Sequence, residues 1–227
     1  MIHKVKVRVR RLLGSVGYEV RSTKKQTRLV YPNIPGWFTY EEAEVLYLLG
    51  FMARGRVLEI GHFLGRSTSV LCEAIRDSGR TVEFNSYDIG FKSADEFVEF
   101  YSRVYGSKSF PIPPEMEAMI FSRKMTTTQI AQEYLTKYGL AGYVALHSAD
   151  FNSQGQSRYD FIFCDAMHDA QEIRVNLPGM IQNSADNCTW AVHDMTAANV
   201  ATLLAEAPAA KLIVQADTLG VFQYVRS

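Results

Sequence analysis

The stretch that decides the fold is RVLEIGHFLGRSTSVLCEA, residues 56–74. Its opening, RVLEI, reads as a short buried strand, and Gly61 and Gly65 break the apolar run. From Ser67 the chain has the spacing of an amphipathic helix, closed by Gly79. A strand that turns through glycines into a helix places a ligand at the turn. The spacing excludes two familiar ligands. A P-loop needs a longer glycine interval and a Lys beside Ser or Thr, and no Lys follows Gly65. A dinucleotide loop needs G-x-G-x-x-G, whereas here His62 and Phe63 stand where a pyrophosphate requires close approach to the backbone. Glu59 points the other way. A carboxylate at the strand end repels pyrophosphate and suits a ligand bearing positive charge.

The next strand, in TVEFNSYDIG, ends at Asp88. A carboxylate there accepts both hydroxyls of a ribose and would reject a 2′-phosphate. An ammonium, a sulfonium and a ribose in one molecule describe S-adenosylmethionine, which becomes the expected ligand. Further strands follow in VALHSAD, YDFIFCDA and CTWAVHDM, with helical stretches near AQEIRVNLPGMI and AANVATLLAEA. KLIVQADTLGVFQYVR reads as a terminal strand pair turning at Thr218 to Gly220. Alternating strands and helices predict an α/β fold whose mostly parallel sheet is covered on both faces. Its ligand belongs at the carboxyl ends of the strands. Upstream, FTYEEAEVLYLLGFMARG reads as a helix with Thr39 and Glu42 as a capping box, Leu46 and Leu49 inward, and Gly50 or Gly55 at its end. Residues 91–138 are too long for a simple crossover and predict an inserted group of two or three helices, serving either subunit packing or as a wall for the acceptor. Trp37, Phe38, Tyr40 and Phe110 are candidate wall residues.

Basic and acidic residues balance at 24 each, so no bulk field points to nucleic acid. The basic residues crowd into HKVKVRVRRLLGSVGYEVRSTKKQTR, which makes the remainder acidic. Residues 1–36 are read as a basic N-terminal arm, closed by Pro32, Pro35 and Gly36, and residues 37–227 as the domain proper. The arm suits contact with an anionic lipid surface or a polyanion, or packing on a second subunit of a homo-oligomer. Cys72, Cys164 and Cys188 are odd in number and widely spaced, which argues against a disulfide framework and for a reducing cytoplasm. Neither a signal peptide nor an apolar run of membrane-spanning length is present in the sequence.

The set VLEIGHFLGRSTSVLCEA, YDIG, YDFIFCDAMHDAQEIRVNLPGMI and TWAVHD resembles the class I S-adenosylmethionine-dependent methyltransferases. It is most similar to the branch holding macrocin- and cephamycin-type natural-product and sugar O-methyltransferases, and more distantly to catechol O-methyltransferases. The likeness spans roughly residues 37–227, leaving the arm and the insertion outside it. It implies a Rossmann-like, seven-stranded sheet and an O-methyltransferase acting on a small-molecule or sugar-containing acceptor. It also implies a cofactor site of Glu59, Gly61, Gly65, Ser67 and Asp88, with Ser148 and Ala149 beside the adenine. Asp165 and Asp194 match the positions where metal-dependent members hold a divalent cation. One departure stands out: His193 precedes Asp194 where those members carry an acid.

Two aspartates at strand ends suit magnesium, which prefers oxygen ligands and would polarise an acceptor hydroxyl. His193 softens that set toward manganese or iron, or toward no metal. His168, three residues after Asp165, is the first candidate base and His193 the second. Asp169 is read as the N-cap of the helix that follows. Two other readings compete. A nicotinamide-dependent oxidoreductase on a similar sheet is disfavoured by the loop spacing. A non-catalytic glycan- or membrane-binding module is disfavoured by retention of Asp165, His168 and Asp194.

Overall fold

Thr39 begins the first helix as its spacing requires. In the computed structural model, which describes residues 29–105, 114–154 and 157–226, the Thr39 hydroxyl accepts from the Glu42 amide and the Glu42 carboxylate accepts from the Thr39 amide. This helix, α1 (Tyr40–Met52), buries Val45, Leu46 and Leu49. Gly50 lies inside it rather than at its end. A Cβ at Gly50 would sit 3.0 Å from the Ala74 Cβ, so glycine serves close packing on the next helix. Gly55 opens strand β1 (Gly55–Ile60). Helix α2 (Arg66–Ser78) follows and is ended by Gly79 in the left-handed conformation.

Strand β2 (Val82–Asp88) leads into the long crossover, where three helices are described: α3 (Ala94–Tyr105), α4 (Pro114–Phe121) and α5 (Thr127–Lys137). Strands β3 (Ala145–Ser148) and β4 (Tyr159–Cys164) come next. Helix α6 (Ala170–Asn183) is capped by Asp169, whose carboxylate accepts from the amides of Gln171 and Glu172. It passes directly into β5 (Ser184–Val192), then α7 (Ala197–Glu206), β6 (Ala210–Ala216) and β7 (Leu219–Val225). The terminal hairpin turns at Asp217 and Thr218, one step earlier than expected, with Asp217 taking the positive φ.

The seven strands lie in the order β3-β2-β1-β4-β5-β7-β6, and β7 alone runs against the others. Alternate residues feed two cores. Val57, Phe161, Phe163 and Ala191 face α1 and α2, whereas Leu58, Ile162, Cys164 and Trp190 face α6 and α7. Burial on both faces is why these strands read as near-continuous apolar runs. The carboxyl ends of β1, β2, β4 and β5 meet at one edge, and the polar residues singled out in the sequence are carried there.

The boundary of the expected arm moves. Residues 29–36 pack as part of the domain, with Tyr31 and Ile34 buried and Ile34 set against Leu64, Ile120 and Ile130. The carboxylate of Glu73 accepts the Val30 amide. The rest of the basic segment, and Phe110, lie outside the described residues. Cys72, Cys164 and Cys188 are buried free thiols. Among the described residues no helix is long and apolar enough to cross a membrane.

Candidate active site

A cavity of about 520 Å³ runs along the carboxyl edge of the sheet. At one end the glycine loop meets the end of β2. The Gly61 amide donates to the Tyr87 carbonyl, and the Asp165 amide donates to the Ile60 carbonyl, drawing three strand ends together. Gly61 has φ 87°, and a Cβ there would lie 2.5 Å from the Asp165 carbonyl oxygen. Gly61→Ala is therefore expected to cost about 3 kcal/mol or more, from left-handed strain plus backbone overlap. Urea unfolding of the variant checks this.

Asp88 is the hub of that end. Its carboxylate accepts the amides of Phe63 and Gly90, each at 2.9 Å, and the Thr127 hydroxyl at 3.4 Å. Asp88 still lines the cavity; Oδ2 keeps an acceptor position for a ribose hydroxyl, and a second opens on Oδ1 once the long Thr127 contact gives way. Phe63 adopts φ 45°, and that conformation presents its amide to Asp88. Ala149 lines the same end, and its amide donates to the Asp88 carbonyl. Ser148 does not line the cavity; its hydroxyl donates to the Ile89 carbonyl.

Glu59 also departs from its expected place. It is fully buried beneath the loop and outside the cavity lining, accepting from the hydroxyls of Ser67, Thr68 and Ser86. Burial pushes its carboxyl up to about 7 against the pull of those hydroxyls. Its carboxylate is turned to those hydroxyls and not to the cavity, and it ties β1 to β2 and α2. The network continues through Ser86 to His62 Nδ1 at 2.9 Å, and from His62 Nε2 to the Thr128 hydroxyl at 3.0 Å. Burial lowers the His62 pKa and keeps the ring neutral. Gly65, the N-cap of α2, also lies behind the cavity, where a Cβ would meet the Ala131 Cβ at 3.2 Å. Ser67 touches the cavity, although its hydroxyl is turned to Glu59.

At the other end stand Asp165, His168, His193 and Asp194, all lining the cavity. His193 Nδ1 lies 3.1 Å from Asp165 and 3.3 Å from Asp194, and Nε2 lies 3.3 Å from Glu42. Burial opposes a charge on this ring, yet the three carboxylates prevail and hold its proton far above the usual imidazole range. That setting favours the protonated ring and makes His193 the weaker of the two candidate bases. Glu42 is the partner that the sequence reading missed. It was legible only as a capping acid. One of its oxygens caps α1, while the other accepts from the amide and hydroxyl of Thr218 and faces His193. Burial works against ionisation of Glu42, but the bonds from His193, Thr39 and Thr218 bring it down to about 2.

His168 has its own carboxylate. A single oxygen of Glu172, which is 2 % exposed, accepts both the His168 amide at 2.9 Å and Nδ1 at 2.6 Å. That leaves Nε2 toward Asp165 and Asp194, at 3.8 Å and 3.6 Å. Burial is outweighed by these acids, and the His168 pKa is raised above 6.5. The i, i+4 spacing of His168 and Glu172 around a helix start was the available sign of this pair. Asn199 braces both loops, donating to the carbonyls of His168 and Asp194.

Residues 58–195 match the model of a family described as a methyltransferase domain. The chain belongs to that methyltransferase family. Its seven-stranded, mostly parallel sheet with helices is the Rossmann-like fold of S-adenosylmethionine-dependent methyltransferases. A S-adenosylmethionine-dependent O-methyltransferase from Thermotoga maritima superposes with a TM-score of 0.56 at 13% identity, covering 86% of this chain and 68% of that one. A methyltransferase from Geobacter sulfurreducens gives 0.55 at 17% identity, over 96% and 97% of the two chains. TomG of Streptomyces achromogenes, an O-methyltransferase of tomaymycin synthesis seen with S-adenosylmethionine, gives 0.51 at 15%, over 96% of each chain. No curated protein matches the methyltransferase by sequence.

Proposed function

We propose that this methyltransferase moves the methyl group of S-adenosylmethionine to a hydroxyl of a small-molecule or sugar-containing acceptor. The observation that carries the reading is that a ribose-accepting carboxylate, Asp88, and a histidine held by a buried carboxylate, His168, line one cavity. Gly61 and Ser67 border the donor, Ala149 flanks its adenine, and Glu59, Gly65 and Ser148 brace that surface from behind. The acceptor hydroxyl lies between Asp165 and His168. With the donor bound, the sulfonium would supply the methyl group to that oxygen and keep the carbon–sulfur bonding pair, and His168 Nε2 would take the hydroxyl proton. Catalysis rests on alignment and on exclusion of water by Trp37, Phe38 and Phe63.

A second role for the same residues is favoured by one distance. Donor atoms of Asp165, His168 and Asp194 lie within 4.8 Å of one another, a set that fits a divalent cation. A cation there supplies Lewis-acid polarisation of the hydroxyl. His168 then acts as ligand and not as base, in place of the softening first assigned to His193. Three buried free thiols suit a reducing compartment, and we place the enzyme in the cytoplasm.

Titration calorimetry with S-adenosylmethionine tests the donor. A wild-type protein that shows no binding overturns the assignment. His168→Ala is expected to bind the donor within about threefold of wild type and to lose about 100-fold or more in turnover on an acceptor found by screening. Manganese titration of the two proteins separates the roles. Metal binding lost in the variant marks a ligand; turnover lost in the variant, when the wild-type protein binds no metal, marks a base.

A further inference from the structure

The segment 34–38 belongs to no helix or strand, and its residues 35–38 form one wall of the cavity. Three alternate carbonyls on it, those of Ile34, Gly36 and Phe38, face one way and end on a single side chain. Arg66 donates Nη1 to Ile34 at 3.1 Å and to Gly36 at 2.8 Å, and Nη2 to Phe38 at 3.1 Å. The Tyr31 ring lies 5.1 Å from the guanidinium. Gly36 is pressed against the Arg66 stem: a Cβ there would be 3.1 Å from Cδ. Lysine could not reproduce this fork, because one ammonium cannot reach three spaced carbonyls.

Arg66 is also the first residue of α2, directly after the glycine loop. The strap it holds touches that loop again through Trp37, whose ring stacks on Phe63 at 5.9 Å. At its far end Phe38 packs against His193, with ring centroids 5.3 Å apart, and Thr39 caps the helix that delivers Glu42 to His193. One guanidinium therefore links the loop under the donor to the wall and the acid at the acceptor end.

We propose that Arg66 is a positioning residue that fastens the 34–38 strap to the glycine loop and so couples occupancy of the donor site to the shape of the acceptor wall. The coupling rests on the donor reading above; the fastening does not.

The full chain supplies its own probe. Of its two tryptophans, Trp37 is 56% exposed on the strap, whereas Trp190 is fully buried and stacked on Tyr224. Acrylamide quenching of tryptophan emission and chymotryptic cleavage after Trp37 or Phe38 are compared for wild type, Arg66→Gln and Arg66→Lys, each with and without S-adenosylhomocysteine. Without ligand, cleavage of both variants is expected to rise about tenfold or more, the effect of losing several charge-assisted hydrogen bonds on local opening. Ligand slows cleavage of the wild-type strap but not of the Arg66→Gln strap, while affinity for the ligand changes less than about threefold. Strap cleavage and quenching equal to wild type in both variants overturn the proposal. So does a large loss of affinity with the strap unchanged, which would make Arg66 part of the donor site. If Arg66→Gln does not fold, Arg66→Lys carries the comparison, since it keeps the stem and the charge. A wild-type protein that binds no ligand overturns the donor reading and the coupling, and the ligand-free comparison still decides the fastening.

Discussion

Asp88→Ala is expected to weaken S-adenosylmethionine binding by about 100-fold or more, because two hydrogen bonds from ribose hydroxyls to a carboxylate contribute roughly 3 kcal/mol together. The same change frees the amides of Phe63 and Gly90, which the carboxylate holds at 2.9 Å each. The loop would then lose its set as well as its contact with the ligand. Calorimetry reads the affinity, and circular dichroism with urea unfolding shows that the fold survives at a cost of about 1–3 kcal/mol. Asp88→Asn divides the two effects, since a carboxamide oxygen can still accept one of the amides. Donor affinity in Asp88→Ala equal to wild type would remove Asp88 from the site. Glu59→Ala should behave differently from Asp88→Ala. It strands the buried hydroxyls of Ser67, Thr68 and Ser86 and is read first in stability.

Glu42→Ala is expected to have the largest effect on stability of any single change considered. It removes the helix cap and leaves the His193 imidazolium with one carboxylate fewer in a buried setting. Breaking one side of a buried ion pair costs about 3–5 kcal/mol. For a chain of this length that is a fall in Tm of roughly 10 °C or more. The pH dependence carries a sign. The folded value of Glu42, about 2, lies below its ordinary 4.5. Its contribution is therefore present above pH 4.5 and is lost as pH falls toward 2. Urea midpoints measured from pH 6 downward should converge for wild type and Glu42→Gln across that window. Parallel curves would show that Glu42 gains nothing from ionising in the folded state.

Much of this was legible in the sequence because the signals are local. A strand that breaks at Gly61 and Gly65, an acid closing β2 and a capping pair at Thr39 and Glu42 each act within a few residues. Backbone geometry and short-range hydrogen bonding make them visible in one dimension. The glycine reading at position 50 failed for a tertiary reason, since that glycine answers to Ala74 on the facing helix. The hidden placement of Glu59 has a similar origin. Its neighbours Ser67 and Thr68 were in the quoted stretch, but only the fold brings Ser86 alongside and turns the carboxylate away from the cavity.

The sequence by itself determined the alternation that makes the sheet, the loop that admits a donor, and the strand ends where chemistry collects. The tertiary structure alone decided which groups carry charge there. Glu42 and Thr218 are 176 positions apart, and their meeting sets a third carboxylate against His193, beside Asp165 and Asp194, and helps to raise its pKa. Arg66 likewise finds its partners about thirty positions upstream. A pKa or a fastening depends on distance and burial in three dimensions, and residue order specifies neither until the sheet has closed.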